Sequence, residues 1–190
     1  MIDRKALKAM AKSQIKGNIG TLFLCTLIIG FIISAAAPIF GAGMIISPAF
    51  SISIVMIYIA LTQDVKPEIG DIFKGFKILG KALWLFIITG FFTYLWSLLF
   101  VIPGIIKGLS YSMAPYILAE NPTMTAREAL NESKRITNGY KAQLFVLQLS
   151  FIGWMFLIPL TFGLISIWLI PYMNATYANF YNAIKGGNQA

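Results

Sequence analysis

Histidine is absent from this 190-residue chain, which removes the commonest general base and the commonest metal ligand together. Cysteine occurs once, as Cys25, so no intramolecular disulfide can form and the redox compartment leaves no mark on the sequence. Acidic residues are scarce, with 7 Asp and Glu against 15 Lys and Arg. All of them (Asp3, Asp64, Glu68, Asp71, Glu120, Glu128 and Glu132) fall in polar segments or at predicted helix ends, so no apolar run carries a carboxylate able to relay a proton. No Gly-rich phosphate loop, Cys-x-x-Cys pair or nucleophile-base arrangement is present, and the polar segments are too short to form a separate catalytic domain. The chain reads as a non-enzyme without cofactor or metal.

What is abundant is hydrocarbon. The chain is 58% hydrophobic and 12% charged, with a mean hydropathy of +0.77. A soluble domain is roughly 45–50% apolar and about a quarter charged, so this composition cannot cover a water-facing surface. The formal charge of +8 raises the question of nucleic acid, but no basic face interleaved with exposed aromatics is present. The cations gather instead in short polar segments, where they set orientation and meet anionic lipid headgroups. Membrane lipids, including anionic headgroups on the cytoplasmic side, are the expected partners, with room for an unidentified protein partner and none for nucleic acid.

Runs of about 20 apolar residues predict six spans, near Ile19–Phe40, Met44–Thr62, Ala82–Ile102, Gly104–Ala119, Ala142–Ile158 and Leu160–Asn182. The fourth and fifth are short, reaching only about 25 Å at about 1.5 Å per residue, so they either cross a locally thinned bilayer or form a re-entrant hairpin. The basic N-terminus, the apolar run and the Ala35-Ala36-Ala37 triplet imitate a signal peptide. The run is long enough to span, however, Pro38 follows the candidate scissile bond, and further spans come after, so an uncleaved first helix is expected.

Orientation follows from the cations. Arg4, Lys5, Lys8, Lys12 and Lys16 precede the first span; Lys66, Lys74, Lys77 and Lys81 lie between the second and third; Arg127, Lys134, Arg135 and Lys141 lie between the fourth and fifth; Lys185 follows the sixth. The opposite connections at Gly41–Gly43, Pro103–Gly104 and Ile158–Pro159 are uncharged. Both termini are therefore expected in the cytoplasm of a plasma-membrane protein.

The cytoplasmic segments have helical, amphipathic patterns. Thr125 and Glu128 have capping-box spacing, Ala129, Leu130 and Ile136 supply an apolar side, and Gly139 can close the helix. Asp71–Leu79 and Asp3–Ile15 read similarly, and all three are expected to lie along the headgroups with cations outward. A short amphipathic helix thus precedes a hairpin three times. Gly20, Gly80 and Gly139 open the odd spans at intervals of 60 and 59 residues, and Pro48, Pro103 and Pro159 open the even ones at 55 and 56. The predicted fold is an all-α polytopic membrane helix bundle, a single domain over 1–190, with pseudo-threefold repeat units 1–63, 64–122 and 123–190.

A few polar residues interrupt the apolar runs. Lys107 lies about one turn past Pro103–Gly104, roughly 5 Å below the outer interface, where it either snorkels outward or binds a phosphate or carboxylate headgroup together with Tyr111. Gln148 in the fifth span, and Asn174, Tyr177 and Tyr181 on one face of the sixth, either hydrogen-bond between helices or line a polar cavity. Pro115 and Pro171 are expected to kink their helices and free a carbonyl each. Trp84, Trp96, Trp154 and Trp168 read as interface anchors or bundle filling.

The stretch from Ile102-Pro103-Gly104 through Lys107-Gly108-Leu109-Ser110-Tyr111 to Ala114-Pro115-Tyr116, then Asn121-Pro122, Glu128-Ala129, Ser133 and Leu147 to Trp154, then Trp168-Leu169-Ile170-Pro171-Tyr172 and Ala175-Thr176-Tyr177, resembles the bacterial membrane-protein family known as domain of unknown function 975. The resemblance covers essentially the whole chain and implies a multi-pass inner-membrane protein, with no established activity or site. More distantly it is similar to the membrane domain of some glycerophosphodiester phosphodiesterases, a hint of lipid context by analogy. Two functions are carried forward: a non-enzymatic scaffold or accessory protein, and a small permease or lipid-handling protein with a polar cavity between its helices.

Overall fold

The computed structural model describes residues 3–39, 41–99 and 101–187. Its elements are α1 (Arg4–Ile15), α2 (Ile19–Ala36), α3 (Ala42–Thr62), a 3-10 helix (Ile69–Ile78), α4 (Leu79–Leu99), α5 (Val101–Tyr111), α6 (Ala114–Glu120), α7 (Ala126–Ile136), α8 (Lys141–Met155), α9 (Leu157–Leu160) and α10 (Ser166–Gly187). Among the described residues four stretches are long and apolar enough to cross a bilayer: Ile19–Ala36, Ala42–Thr62, Ile69–Leu98 and Lys141–Leu160. Phe40, the expected end of the first span, lies outside the described residues.

The expected fourth and sixth spans are not among these four stretches, and each departs from a uniform apolar helix for a local reason. The expected span Gly104–Ala119 is divided into α5 and α6 at Ser112 and Met113. Pro115 has no N–H for the Tyr111 carbonyl and its ring would collide with it, so α5 stops there. The neighbouring Ser110 carbonyl is taken up by the Ser133 hydroxyl of α7 at 2.7 Å. The expected span Leu160–Asn182 starts later, because Thr161–Ile165 forms turns with Phe162 and Gly163 at positive φ. The resulting α10 tolerates Pro171 inside it and carries Asn174, Asn179, Asn182 and Lys185 beyond that proline. The element order does not repeat three times: after the 3-10 helix, α4 is followed by two short helices, α5 and α6, and after α7 come α8, the four-residue α9 and α10.

Short-range signals are realised closely. The Asp3 side chain accepts from the Lys5 amide to start α1, and the Thr125–Glu128 capping box is made in both directions. Gly139 takes φ +84 just past α7.

The amphipathic helices differ from expectation in what covers them. Protein buries part of each apolar face, namely Leu7, Ala11 and Ile15 of α1, Ile72 of the 3-10 helix, and Ala126, Ala129, Leu130 and Ile136 of α7, while Met10, Ile69 and Phe73 stay exposed. Helix α1 docks on α10, the 3-10 helix on α3, and α7 on α6, α4 and α5. Each fully buried Leu or Ile contributes about 1.5–3 kcal/mol relative to exposure to water, so these helices form part of the core.

Burial is correspondingly uneven. Bonds Gln14–Asn179, Thr62–Asn182, Lys81–Pro122 and Glu120–Lys185 bring the polar ends of α1, α3, α4, α6 and α10 together at one end of the molecule. Phe50, Ile52, Ile57, Tyr58 and Leu61 of α3 are buried toward that end, whereas Phe31, Met44, Leu98, Leu160 and Phe162 toward the other are exposed. The exposed apolar residues match a surface solvated by lipid.

Two close approaches depend on glycine. The Gly75 amide donates to Ser53 Oγ at 2.8 Å, and a Cβ at position 75 would collide with the Ala49 carbonyl. A Cβ at Gly104 would collide with Ser97 of α4, which lets α5 lie close against α4. Gly75→Ala is expected to lower stability by about 1–3 kcal/mol through overpacking. Gly80→Ala, with open space at its Cβ, is expected to be neutral or to stabilise by up to about 1 kcal/mol. Thermal unfolding of the two variants in mild detergent checks this.

Candidate functional site

The polar residues of the buried end form a connected seam centred on α10. Gln14 of α1 and Asn179 exchange two amide bonds, with Gln14 Nε2 donating at 3.2 Å and Asn179 Nδ2 donating at 2.6 Å. Asn179 Nδ2 also donates to the Ala175 carbonyl at 2.9 Å. The Asn174 side chain stands against the Tyr58 hydroxyl of α3. Tyr116 of α6 lies beside Tyr181 with ring centroids 5.5 Å apart. Tyr181 donates to Glu120 at 2.6 Å, and the Lys185 ammonium sits 2.5 Å from the other oxygen of the same carboxylate. Glu120 closes α6 while Tyr181 and Lys185 lie one turn apart on α10, so one carboxylate ties two helices.

An aromatic group continues the seam toward α8. Phe151 is fully buried and meets Tyr172 and Tyr177 edge-on at 5.6 and 6.1 Å. The Lys8 ammonium of α1 lies 4.4 Å above the Phe151 ring. Partial burial, and behind it the Arg4 charge, push Lys8 down from its ordinary value, while the ring face offers it compensating negative potential.

The five residues singled out in the sequence separate into four places. Asn174 and Tyr177 belong to the seam. Gln148 lines a cavity of about 340 Å³ against α4 and α5 with Thr93, Ser97, Gly104 and Gly108. Lys107 places its ammonium 4.7 Å over the Trp96 ring, and Tyr111 is buried with the Lys134 ammonium 5.5 Å above it. The contacts described for Lys107 and Tyr111 are thus with different neighbours. Sequence reasoning passed over Gln14 and Glu120, which sit in segments that read as amphipathic surface or helix ends, and Asn179, which lies within the sixth apolar run. Their partners are up to 165 residues away, and no local pattern announces them.

Chemically the seam is a set of satisfied donors and acceptors that fixes helix positions. Burial raises the Glu120 carboxyl, but the Lys185 and Tyr181 hydrogen bonds, with the Lys185 charge, outweigh it and hold the group below its ordinary 4.5. A carboxyl lowered by folding stabilises the fold above its unfolded value, and that contribution disappears as pH falls through the folded value. Glu120→Gln is therefore expected to cost about 1 kcal/mol at neutral pH, since the pair is part-exposed and screened, and the gap to the parent is expected to narrow as pH falls below the ordinary carboxyl value. Thermal unfolding of both proteins across pH checks it. Asn179→Ala is expected to free α1, raising amide hydrogen exchange over residues 4–15 at least tenfold relative to α3, as loss of about 1.4 kcal/mol of local stability would.

No match to the chain was found among curated proteins or among solved structures. A family profile described as "Protein of unknown function (DUF975)" matches residues 1–107 and 98–188. With the matched segments running through nearly the entire chain, from α1 to the end of α10, the protein belongs to the DUF975 family of proteins of unknown function.

Proposed function

We propose that this chain is a non-enzymatic scaffold or accessory protein of the bacterial plasma membrane, presenting a cationic platform to anionic lipid and to a protein partner. The observation that carries the reading is that the amphipathic helices are held to the bundle by specific bonds. Gln14–Asn179 holds α1, Gly75–Ser53 holds the 3-10 helix, and Ser133–Ser110 holds α7. With part of each apolar side committed to the core, Lys5, Lys12, Lys77 and Arg135 are exposed on helices of defined position. A surface ordered before binding avoids the entropic cost of ordering a tail on contact.

The topology proposed with it is six crossings in three related hairpins, both termini cytoplasmic, with α5–α6 and α10 as the fourth and sixth crossings. The uneven distribution of cations supports this orientation. The other function, a small permease or lipid-handling protein, draws on the cavity beside Gln148; Asn174 and Lys107 are outside its described lining.

Photo-crosslinking residues placed in cells at Lys12, Lys77 and Arg135 are expected to give discrete protein adducts, with none at Leu98 on the lipid-facing side. Fusions of a cytoplasmic reporter to either terminus are expected to be active. Absence of adducts at all three positions, together with solute flux through reconstituted vesicles, would replace the scaffold reading by the permease one.

A further inference from the structure

One groove at the cation end combines charge and hydrocarbon in a way the seam does not. It has a volume of about 380 Å³ and lies between α4 and α7, lined by Trp84, Ile88 and Phe92 on one wall and Arg127, Asn131 and Lys134 on the other, with Leu130 at its floor. Both walls follow from helical periodicity. Trp84, Ile88 and Phe92 recur every four residues and make a stripe running about 12 Å up α4, away from its polar start. Arg127, Asn131 and Lys134 recur at four and three residues along one face of α7.

Neither cation of the groove has a carboxylate partner among the described residues. Glu132, the nearest acid along α7, is engaged in two bonds by Arg135, and Glu128 is engaged by the Thr125 cap. Lys81, one turn before Trp84, donates to the Pro122 and Thr123 carbonyls at 2.6 and 3.0 Å. Lys134 donates to Asn131 at 3.2 Å and lies over the Tyr111 ring, with no carboxylate, and Arg127 has no ion pair among the described residues. The groove therefore carries two cations without a carboxylate among the described residues, one of them held by Asn131 and the Tyr111 ring, beside a wall of exposed hydrocarbon, with Trp84 56% and Phe92 39% exposed.

We propose that this groove binds one phospholipid with an anionic headgroup, its phosphate held between Arg127 and Lys134 and the start of an acyl chain laid along Ile88 and Phe92. Guanidinium and ammonium donors match phosphate oxygens, the former bidentately. Trp84 sits where an indole is placed at a headgroup boundary. The α4 wall belongs to a stretch apolar enough to cross the bilayer, so the groove continues into hydrocarbon and favours a lipid over an acidic peptide or a free anion. The inference deepens the platform reading by naming the ligand of one part of that surface.

The experiment is native mass spectrometry of the full chain released from nanodiscs of equimolar phosphatidylglycerol and phosphatidylcholine. One phosphatidylglycerol is expected to remain bound. Arg127→Gln with Lys134→Gln is expected to reduce its retention about tenfold or more, while Arg127→Lys with Lys134→Arg keeps most of it. Lys16→Gln with Lys66→Gln removes the same charge at exposed positions outside both the groove and the named platform and is expected to leave retention unchanged. Phe92→Ser tests the hydrocarbon wall without altering charge and is expected to weaken retention severalfold. Thermal unfolding verifies that each variant is folded.

Equal loss in both charge-removing double variants, or equal retention of phosphatidylcholine, would overturn the site in favour of diffuse attraction. Displacement by millimolar inorganic phosphate would overturn it in favour of a free anion, and an acidic protein segment crosslinked at Arg127 in place of lipid would do so in favour of a peptide. The crosslinking positions Lys12, Lys77 and Arg135 do not line the groove, so retained lipid without protein adducts defeats only the scaffold reading, and adducts without retained lipid defeat only the lipid site.

Discussion

Withdrawing an amide, hydroxyl or carboxylate from water costs a few kcal/mol unless a partner is supplied, and here that requirement falls hardest on α10. Beyond Pro171 it carries Asn174, Thr176, Asn179, Tyr181 and Lys185 into the packed end of the molecule. Partners come from three other helices: Gln14 from α1, Tyr58 from α3, and Glu120 from α6, with Thr176 turning back to the Tyr172 carbonyl of its own helix. Satisfying one helix therefore fixes the position of three. Leaving any of these groups unmatched would cost more than the hydrogen bond itself contributes, which makes the arrangement selective for a single packing.

That constraint also explains the contrast between the two ends. Where polar side chains need one another, the helices converge and α1, the 3-10 helix and α7 close over them. At the far end the side chains are apolar, lipid is as good a solvent as another helix, and Phe31, Met44 and Leu160 remain exposed. The converged end is where function is proposed, because there the backbone holds charges in defined places. The α4–α7 groove is one product of this: the bonds that dock α7 leave its Arg127–Lys134 face beside a lipid-facing stripe of α4.

Local chemistry was legible wherever a few adjacent residues decide it. The Thr125–Glu128 box, the stop at Gly139 and the start at Asp3 all depend on backbone groups within one turn, and they appear as read. The apolar runs of α2 and α3 likewise announce themselves by length. The fate of prolines was less legible, since Pro115 ends a helix and Pro171 sits inside one. At the break before Pro115 the Ser110 carbonyl accepts from the Ser133 and Thr137 hydroxyls of α7, neighbours no local reading could supply. The pairing of Glu120 with Lys185 was equally hidden, because both read as ordinary charges at span ends.

The sequence by itself determined the solvent, the helical class, the polar and apolar faces of each short helix and the end at which cations collect, because composition and periodicity act residue by residue. Only the tertiary structure decided that the amphipathic faces are covered in part by protein, that Asn174 and Tyr177 share a seam while Gln148 faces a separate cavity, and that Arg127 and Lys134 stand opposite Trp84. Those outcomes depend on which helices become neighbours. Neighbours are chosen by the joint satisfaction of buried polar groups and by close approaches such as Gly75 on α3, which exist only once the whole chain has packed.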